Sequence, residues 1–404
     1  MKRWKKIALV LFGLLLVSQV PFAYRRYRLS RLRAAIAEVN AAHAAAAADD
    51  PFDDYAGVFH VHSSLGGHST GTLEEIVGAA KSDRLAFVIM TEHPSALVNT
   101  SEATLRGTHE GVLFLNGNEL AASDGGRVFV VPGFELSDSS LSLHDLAARA
   151  SGEGRLAVLG YPEQVREWPS EGFDAVEVYN LYTNSKKINY ALLFFDGLWS
   201  YFPHADLLFT DFYERPDANL KRWDETNAAG RQRLFAVAGN DAHQNVGLSL
   251  QEQTGKKLLD LKLDPYERSF RVVRNHVLIE KGQPLDAETL LGAFRRGHSY
   301  FAFDLFGDAS GFRFAADNGA DRRVMGDEIA TGADGRVRLS VRSPVKCRTV
   351  FFRDGRAVRE VKDSAAAELT VEGAGVYRVE VYLDQLGSLL EGKPWIVSNP
   401  IFVR

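Results

Sequence analysis

Histidines and carboxylates recur at the ends of short apolar segments, where their side chains could bind a metal ion. His60 and His62 are one residue apart, and alternate residues of a strand share a face, so both imidazoles can converge on one cation. Asp241 and His243 repeat this spacing at the end of a later apolar segment. The complete set of candidate ligands is His60, His62, His68, His93, Glu119, Asp241 and His243.

Each of these residues taken alone is ordinary. A His-x-His pair occurs on surfaces without a metal, and Glu119 by itself is typical of a solvated or capping carboxylate. Five of the eleven histidines of the chain nevertheless fall within this set, which favours a shared metal site. Cys347 is the only cysteine, so an internal disulfide and a cysteine-based zinc site are excluded. His and carboxylate ligands suit zinc, manganese or iron.

The sequence offers neither a cysteine nucleophile near the candidate ligands nor a phosphate-binding P-loop, since Cys347 falls in the C-terminal part of the chain. A metal ion lowers the pKa of a coordinated water molecule and so supplies a nucleophile near neutral pH. Metal-assisted hydrolysis is therefore the predicted chemistry. The net charge of -5 argues against a nucleic acid partner.

Strand and helix patterns alternate through the first part of the chain, which favours a largely parallel sheet or barrel. In such barrels the active site lies at the carboxyl ends of the strands, where the candidate ligands stand. A capping box, Thr72 with Glu75, predicts the start of one helix, and Leu143–Ala150 is predicted as another. The predicted strands are Gly57–Val61, Phe87–Met90, Val112–Leu115, Val128–Val131, Leu156–Leu159, Ala175–Val178 and Leu234–Ala238.

The pattern changes near Ser299. Residues 337–342 and 377–383 alternate with a period of two, and Asp354-Gly355 is typical of a hairpin turn. We therefore predict a metal-dependent hydrolase domain over residues 55–298 and a small antiparallel β-sandwich over 299–404. A helix over Glu288–Arg296 is expected to link them.

The N-terminus predicts a membrane attachment. Basic residues flank an apolar run that begins at Ile7, and no small-x-small cleavage site follows it. Residues 1–28 are interpreted as an uncleaved signal anchor and transmembrane helix in preference to a cleaved signal, and residues 29–54 as an Ala-rich helical spacer that runs to about Ala48. The catalytic domain would be membrane-anchored on the extracytoplasmic side, or secreted if the signal is cleaved.

The ordered motifs resemble the polymerase and histidinol phosphatase (PHP) superfamily of metal-dependent phosphoesterases. The resemblance covers residues 55–245, and the C-terminal segments 373–380 and 395–403 resemble the carbaryl-hydrolase-like branch. It implies a distorted seven-stranded β/α barrel with up to three metal ions. The motifs are His60-x-His62, His68, Thr91-Glu92-His93, Gly117-x-Glu119, Glu177-x-Tyr179-Asn180 and Gly239-Asn240-Asp241-Ala242-His243.

The resemblance also implies how the ligands divide. His60, His62, Glu119 and Asp241 would hold one metal, and His68, His93 and His243 another. The remaining metal would share Glu119, but its two histidines are replaced here by Arg127 and Tyr161. We therefore expect about two divalent ions per chain. Arg127 and Tyr161 become candidate catalytic residues, one supplying positive charge and the other a hydrogen bond.

Three functions remain open at this stage. A phosphoesterase that acts on a small-molecule ester is the first expectation. Hydrolysis of a carbamate or carboxylic ester is the alternative that the C-terminal resemblance implies. A non-catalytic module that binds a metal or ligand at the membrane is the second alternative. Neither the substrate nor the oligomeric state can be predicted.

Overall fold

The computed structural model describes residues 3–45, 49–135, 140–168, 171–186, 189–230, 232–251 and 257–404. The chain is a mixed α/β protein with a large mixed sheet. Its α-helices are α1 Arg3–Ala41, α2 Leu73–Ser82, α3 Thr100–Ala103, α4 Leu143–Gly152, α5 Leu181–Ser185, α6 Tyr190–His204, α7 Asp217–Ala228, α8 Tyr266–Val272 and α9 Ala287–Arg296.

The strands of the first part of the chain are β1 Phe52–Val61, β2 Phe87–Met90, β3 Gly107–His109, β4 Val112–Leu115, β5 Asn118–Ala121, β6 Arg127–Val131, β7 Leu156–Gly160, β8 Ala175–Asn180, β9 Phe235–Ala242, β10 Gly247–Gln251 and β11 Lys257–Lys262. Those of the second part are β12 Arg274–Glu280, β13 Ser299–Ala302, β14 Arg313–Asp317, β15 Arg322–Val324, β16 Glu328–Ile329, β17 Arg336–Arg353, β18 Arg356–Glu372, β19 Gly375–Tyr382, β20 Ile396–Ser398 and β21 Ile401–Val403.

Local patterns located most elements of the first part correctly. β2 and β4 have the predicted bounds, and the other predicted strands lie within or overlap observed ones. The Thr72 side chain accepts from the Glu75 amide while the Glu75 side chain accepts from the Thr72 amide, so the capping box that begins α2 is confirmed. The predicted linking helix is present as α9.

Strand pairing gathers the carboxyl ends of several strands. β1 pairs in parallel with β2 on one side and β9 on the other, and β7, β8 and β9 continue the parallel order. β2 pairs with β4, and a bridge from Glu92 to Asn118 extends this contact to β5, which pairs antiparallel with β6. Gly117 stands between β4 and β5, and a Cβ there would lie 2.6 Å from the Met90 carbonyl oxygen, so only glycine permits this approach.

The C-terminal strands are hydrogen-bonded to the first part of the chain. β17 and β18 form the predicted hairpin, and its turn residues Asp354 and Gly355 have φ values of 49° and 78°, as a type I′ turn requires. β13 pairs with β12 on one edge and with β20 on the other. The sheet therefore continues across the predicted boundary at residue 299.

Two predicted boundaries near the N-terminus shift. The spacer helix ends at Ala41, before the predicted end near Ala48, and it is continuous with the apolar segment in α1. β1 begins at Phe52, before the predicted domain start at Tyr55, because Phe52–Gly57 pair antiparallel with β12. α1 is long and apolar enough to cross a membrane, by length and composition.

Candidate metal centre

The backbone bends sharply where the candidate ligands stand. His60, Tyr161 and Asp241 have φ values of 71°, 45° and 49°, a region that non-glycine residues rarely occupy. The register of β1 shifts between Phe59 and Val61 against both neighbouring strands, so His60 forms a bulge that redirects its side chain. Such strained positions cluster at functional sites.

Four buried residues meet at one point. Three of them lie in β1, β5 and β9, and the fourth, His62, lies in the turn after β1. His60 Nε2 lies 3.1 Å from Glu119 Oε2 and 3.3 Å from Asp241 Oδ1. His62 Nε2 lies 3.3 Å and 3.5 Å from the same two oxygens. The donor atoms of His60, His62 and Glu119 all lie within 4.8 Å of one another, as a single metal ion requires. The ligand set that the resemblance implies for the first metal is thus brought together.

Three atoms of this cluster lack hydrogen-bond partners among the described residues. Both ring nitrogens of His62 and Asp241 Oδ1 are buried and make no hydrogen bond there. A buried polar atom without a partner costs free energy, so native proteins rarely leave one unpaired. Neutral imidazole nitrogens and carboxylate oxygens are the donor types that bind zinc, manganese and iron. The residues therefore fit a metal ion.

Charge is unevenly distributed over the cluster. Burial lowers the pKa of His60, but the facing carboxylates of Asp241 and Glu177 outweigh burial and hold this pKa well above its usual value. Burial raises the pKa of Glu119, but the hydrogen bond with His60 and the close approach of His62 Nε2 outweigh burial and hold this pKa well below its usual range. The Asp241 carboxylate is also held ionised, because the same histidines outweigh its burial and lower its pKa. Glu119 and Asp241 can therefore offer negative charge to a cation.

A second histidine group adjoins the first. His62, His93 and His243 present nitrogens within 4.8 Å of one another, and the rings of His62 and His243 stack with centroids 4.3 Å apart. The His68 ring lies 4.7 Å from that of His93, centroid to centroid, on the outer side. Burial lowers the pKa of His93 and of His243 to about 4, so both are neutral at pH 7 with a lone pair free for a metal. The second group is thus His62, His93 and His243, and the predicted ligand His68 adjoins it through His93.

Glu177 supports His60 from behind. Its Oε1 lies 2.6 Å from His60 Nδ1, and both side chains are fully buried. The Asn180 side-chain nitrogen donates to Glu177 Oε2 at 3.1 Å and to Asp241 Oδ2 at 3.3 Å. A Cβ at Gly239 would collide with Glu177 Oε1, so this glycine makes the space that the carboxylate fills. Glu177 was present only as part of a motif in the sequence analysis, and its contact with His60 was missed.

Arg127 and Tyr161 both contact the cluster. The Arg127 Nε donates to Glu119 Oε1 at 3.0 Å, and the Arg127 side chain is 39% exposed while Glu119 is buried. The Tyr161 hydroxyl donates to Asp241 Oδ2 at 2.6 Å. The two residues thus lie beside the carboxylates of the cluster, and Arg127 also reaches solvent. Their catalytic roles stay predictions.

Glu92 precedes a candidate ligand but faces away from the cluster. Both of its oxygens accept from the Ser63 amide, at 3.1 Å and 3.0 Å, and one also accepts from the Thr104 hydroxyl. These bonds fix the loop that follows His62. Glu92 is therefore a positioning residue of the loop.

Comparison with known proteins leaves the family open. No protein-family model and no curated protein matches the chain. Among solved structures, PsfC from Pseudomonas syringae is similar with a TM-score of 0.37 and 15% identity, over 62% of this chain and 92% of PsfC. A candidate metal-dependent phosphoesterase from Bifidobacterium adolescentis is similar with a TM-score of 0.28 and 12% identity, over 52% of this chain and 94% of that one. The function is therefore inferred from the residues of the site.

Proposed function

We propose that the chain is a metal-dependent hydrolase, and that its reaction is the hydrolysis of a phosphoester in a small molecule. The observation that carries the proposal is the buried cluster of His60, His62, Glu119 and Asp241. Both ring nitrogens of His62 and one carboxylate oxygen of Asp241 have no hydrogen-bond partner there among the described residues. A buried, charged and incompletely bonded cluster of this kind is costly unless a cation completes it.

Two divalent ions would be held by this chain. His60, His62, Glu119 and Asp241 would hold one, and His68, His93 and His243 the other. His62 offers a donor atom near both sets, Asp241 adjoins His60 and His62, and the His68 ring adjoins that of His93. When bound, such an ion lowers the pKa of water and polarises the oxygen of a phosphoryl or acyl group. Zinc, manganese and iron all suit these ligands.

The residues of the chain would divide the remaining work. Arg127 carries a permanent positive charge and a planar donor group, it is partly exposed, and its contact with Glu119 holds it beside the cluster. It would bind the substrate anion and stabilise negative charge that develops on oxygen during the reaction. The Tyr161 hydroxyl would fix the orientation of Asp241, and Glu177 that of His60.

The strands of the first part of the chain pair in a closed circuit, which fits the barrel fold expected for this function. β1, β2, the β4–β5 segment, β6, β7, β8 and β9 follow one another in pairing order, and β9 returns to β1. We take this circuit to be the distorted seven-stranded barrel of a PHP-like domain. We take β14–β21 to be the sandwich that accompanies it in the carbaryl-hydrolase-like branch, with α1 as the membrane anchor.

Paired substrates test the proposal. The purified full-length protein, in detergent, is stripped of metal, reloaded with zinc, manganese or iron(II), and given an aryl phosphodiester or an aryl carbamate. We expect phosphodiester hydrolysis that chelation abolishes and metal restores. Preference for the carbamate would transfer the proposal to the alternative ester class. Metal binding without turnover of either substrate would favour the binding-module alternative.

A further inference from the structure

Helix α6 has its apolar and polar faces reversed relative to a helix of a water-soluble domain. Asp196, Ser200 and His204 follow one another at intervals of four residues and are buried against the protein. Phe194, Leu198 and Phe202 also recur at intervals of four, but they are 62%, 65% and 91% exposed. A surface helix of a soluble protein buries its apolar stripe and exposes its polar one. The outward face of α6 is therefore suited to an apolar surrounding.

The same helix is fastened to α1 beside the end of its apolar run. The Phe22 and Phe195 rings lie 5.4 Å apart, centroid to centroid, and the Trp199 indole nitrogen donates to Gln19 Oε1 at 3.0 Å. An ion pair joins Arg25 Nε to Asp196 Oδ2 at 3.0 Å, partly shielded from solvent. These contacts place α6 at the level of residues 19–25 of α1.

The aromatic residues of α1 mark where a bilayer would begin and end. Trp4 is 63% exposed at one end of the apolar run, and Tyr24 and Tyr27 are exposed at the other. From residue 4 to residue 24 a helix rises about 30 Å, the thickness of the hydrocarbon core of a bilayer. Trp and Tyr favour the two interfaces of a bilayer. The contacts at residues 19–25 therefore put α6 at one interface.

The arginines of α1 also indicate a bilayer interface at this position along the helix. Arg26 lies between the two tyrosines of α1, Arg31 and Arg33 lie just beyond them, and all three are exposed. Arginines in this position pair with the phosphates of lipid headgroups, while Phe and Leu of a neighbouring helix reach the acyl boundary. A second copy of the chain would cover the apolar stripe of α6 without using these arginines.

We propose that α6 is an interfacial helix that lies on and partly in the lipid bilayer beside α1, with Phe194, Leu198 and Phe202 in contact with lipid. The partner is thus the bilayer itself. The attachment of the protein then has two parts, a spanning helix and a helix in the plane of the membrane. α6 follows closely after α5, whose Tyr182 ring lies 6.1 Å from that of His243, centroid to centroid, so the bilayer surface comes near the candidate metal centre.

Depth-dependent fluorescence quenching tests this proposal. The full-length protein carries Cys347→Ser and one introduced cysteine, at Leu198, at Leu14 of α1 or at Val358 of β18, which is also an exposed apolar residue. Each variant is labelled with an environment-sensitive fluorophore and reconstituted in phosphatidylcholine–phosphatidylglycerol vesicles with nitroxide-labelled lipid. Phe202→Cys replaces Leu198→Cys if the latter fails to fold.

We expect the nitroxide lipid to quench the probes at 198 and 14 several-fold and to leave the probe at 358 unchanged. Quenching at 14 but not at 198 would overturn the proposal for α6 while retaining the anchor. Lack of quenching at both positions would overturn both. Disulfide-linked dimers of the unlabelled Leu198→Cys protein in vesicles, with no quenching at 198, would assign the apolar face to a second copy and overturn the bilayer as its partner.

Discussion

Glu177 Oε1 lies 2.6 Å from His60 Nδ1 in the fully buried interior of the site. Once His60 has given up its second proton, Glu177 accepts a hydrogen bond from Nδ1–H and so leaves Nε2 as the lone-pair donor aimed toward Glu119 and Asp241. A carboxylate behind a histidine fixes its tautomer and increases its basicity, which strengthens its bond to a metal. This pair gives a fully buried glutamate, far from His60 in the sequence, a place in the site.

The variant Glu177→Gln tests this relationship. The amide keeps the size of the side chain but loses its charge, so we expect metal affinity to fall by about 10- to 100-fold while the protein remains folded. Isothermal titration with zinc measures the affinity. Glu163→Gln, at an exposed position near Tyr161, is the matched control and should bind as the parent does. Equal affinities for parent and Glu177→Gln would refute the positioning role.

Arg127 provides a second prediction. Arg127→Lys keeps the positive charge but removes the planar donor fork, so we expect kcat for the phosphodiester to fall by about 100-fold with metal content unchanged. Steady-state kinetics and metal analysis on the same sample measure the two quantities. Arg336→Lys alters an exposed ion pair with Glu372 and should leave kcat unchanged. A full kcat in Arg127→Lys would remove this residue from the reaction.

The paired replacement of two histidines leads to a third prediction. If Arg127 and Tyr161 occupy the positions of the missing metal ligands, then Arg127→His combined with Tyr161→His should restore that site. Both side chains already adjoin the cluster carboxylates, through Glu119 and Asp241. Metal content should increase from about two to about three ions per chain. Each single replacement should leave it near two, and an unchanged count in the double variant would show that the two positions are misassigned.

A buried histidine outside the site makes stability depend on pH. Burial lowers the pKa of His276, but Asp304 and Asp54 outweigh it and raise this pKa to about 10. Arg313 faces Asp54, Arg274 faces Asp304, and the Tyr300 ring stacks on the imidazole. In the unfolded chain a histidine has a pKa of about 6.5. The folded state therefore holds the proton more tightly than the unfolded chain does, which stabilises the fold. This stabilisation is complete below about pH 6.5 and is lost as the pH rises through about 10.

Urea unfolding of the full-length protein in detergent measures this effect. We expect the free energy of unfolding of the parent to decrease by about a few kcal/mol when the pH is raised from 7 to 10. His276→Gln should be less stable at pH 7 and nearly independent of pH over the same range. His109→Gln, which changes an exposed histidine, should follow the parent. A parent as stable at pH 10 as at pH 7 would contradict the charged state of His276.

Local signals predicted those parts of the fold that local sequence determines. β2 and β4 are short apolar runs, the α2 capping box is encoded within four residues, and the β17–β18 turn needs only Asp354 and Gly355. The antiparallel pairing of β1 with β12 depends on residues more than 200 positions apart, so the start of β1 at Phe52 was not predictable from its own residues.

The candidate site likewise combines features that local sequence predicts with features that depend on residues far apart in the chain. The type and spacing of His60, His62 and Asp241 indicated a metal site because strand geometry converts spacing into direction. The partners of His276, which are Asp54 and Asp304, carry no local motif and are brought together only by pairing across the sheet. The outward direction of the apolar stripe of α6 could not be predicted, because an exposed stripe has the same spacing in sequence as the buried stripe of a core helix.

Bound-metal stoichiometry shows whether the buried cluster is a metal centre. The full-length protein, purified in detergent without chelators, and its His60→Ala and His243→Ala variants are analysed by plasma mass spectrometry, with circular dichroism to establish folding. We expect about two ions per chain in the parent and the loss of about one in each variant. A folded parent that binds no zinc, manganese or iron at micromolar concentration would contradict the metal-dependent hydrolase.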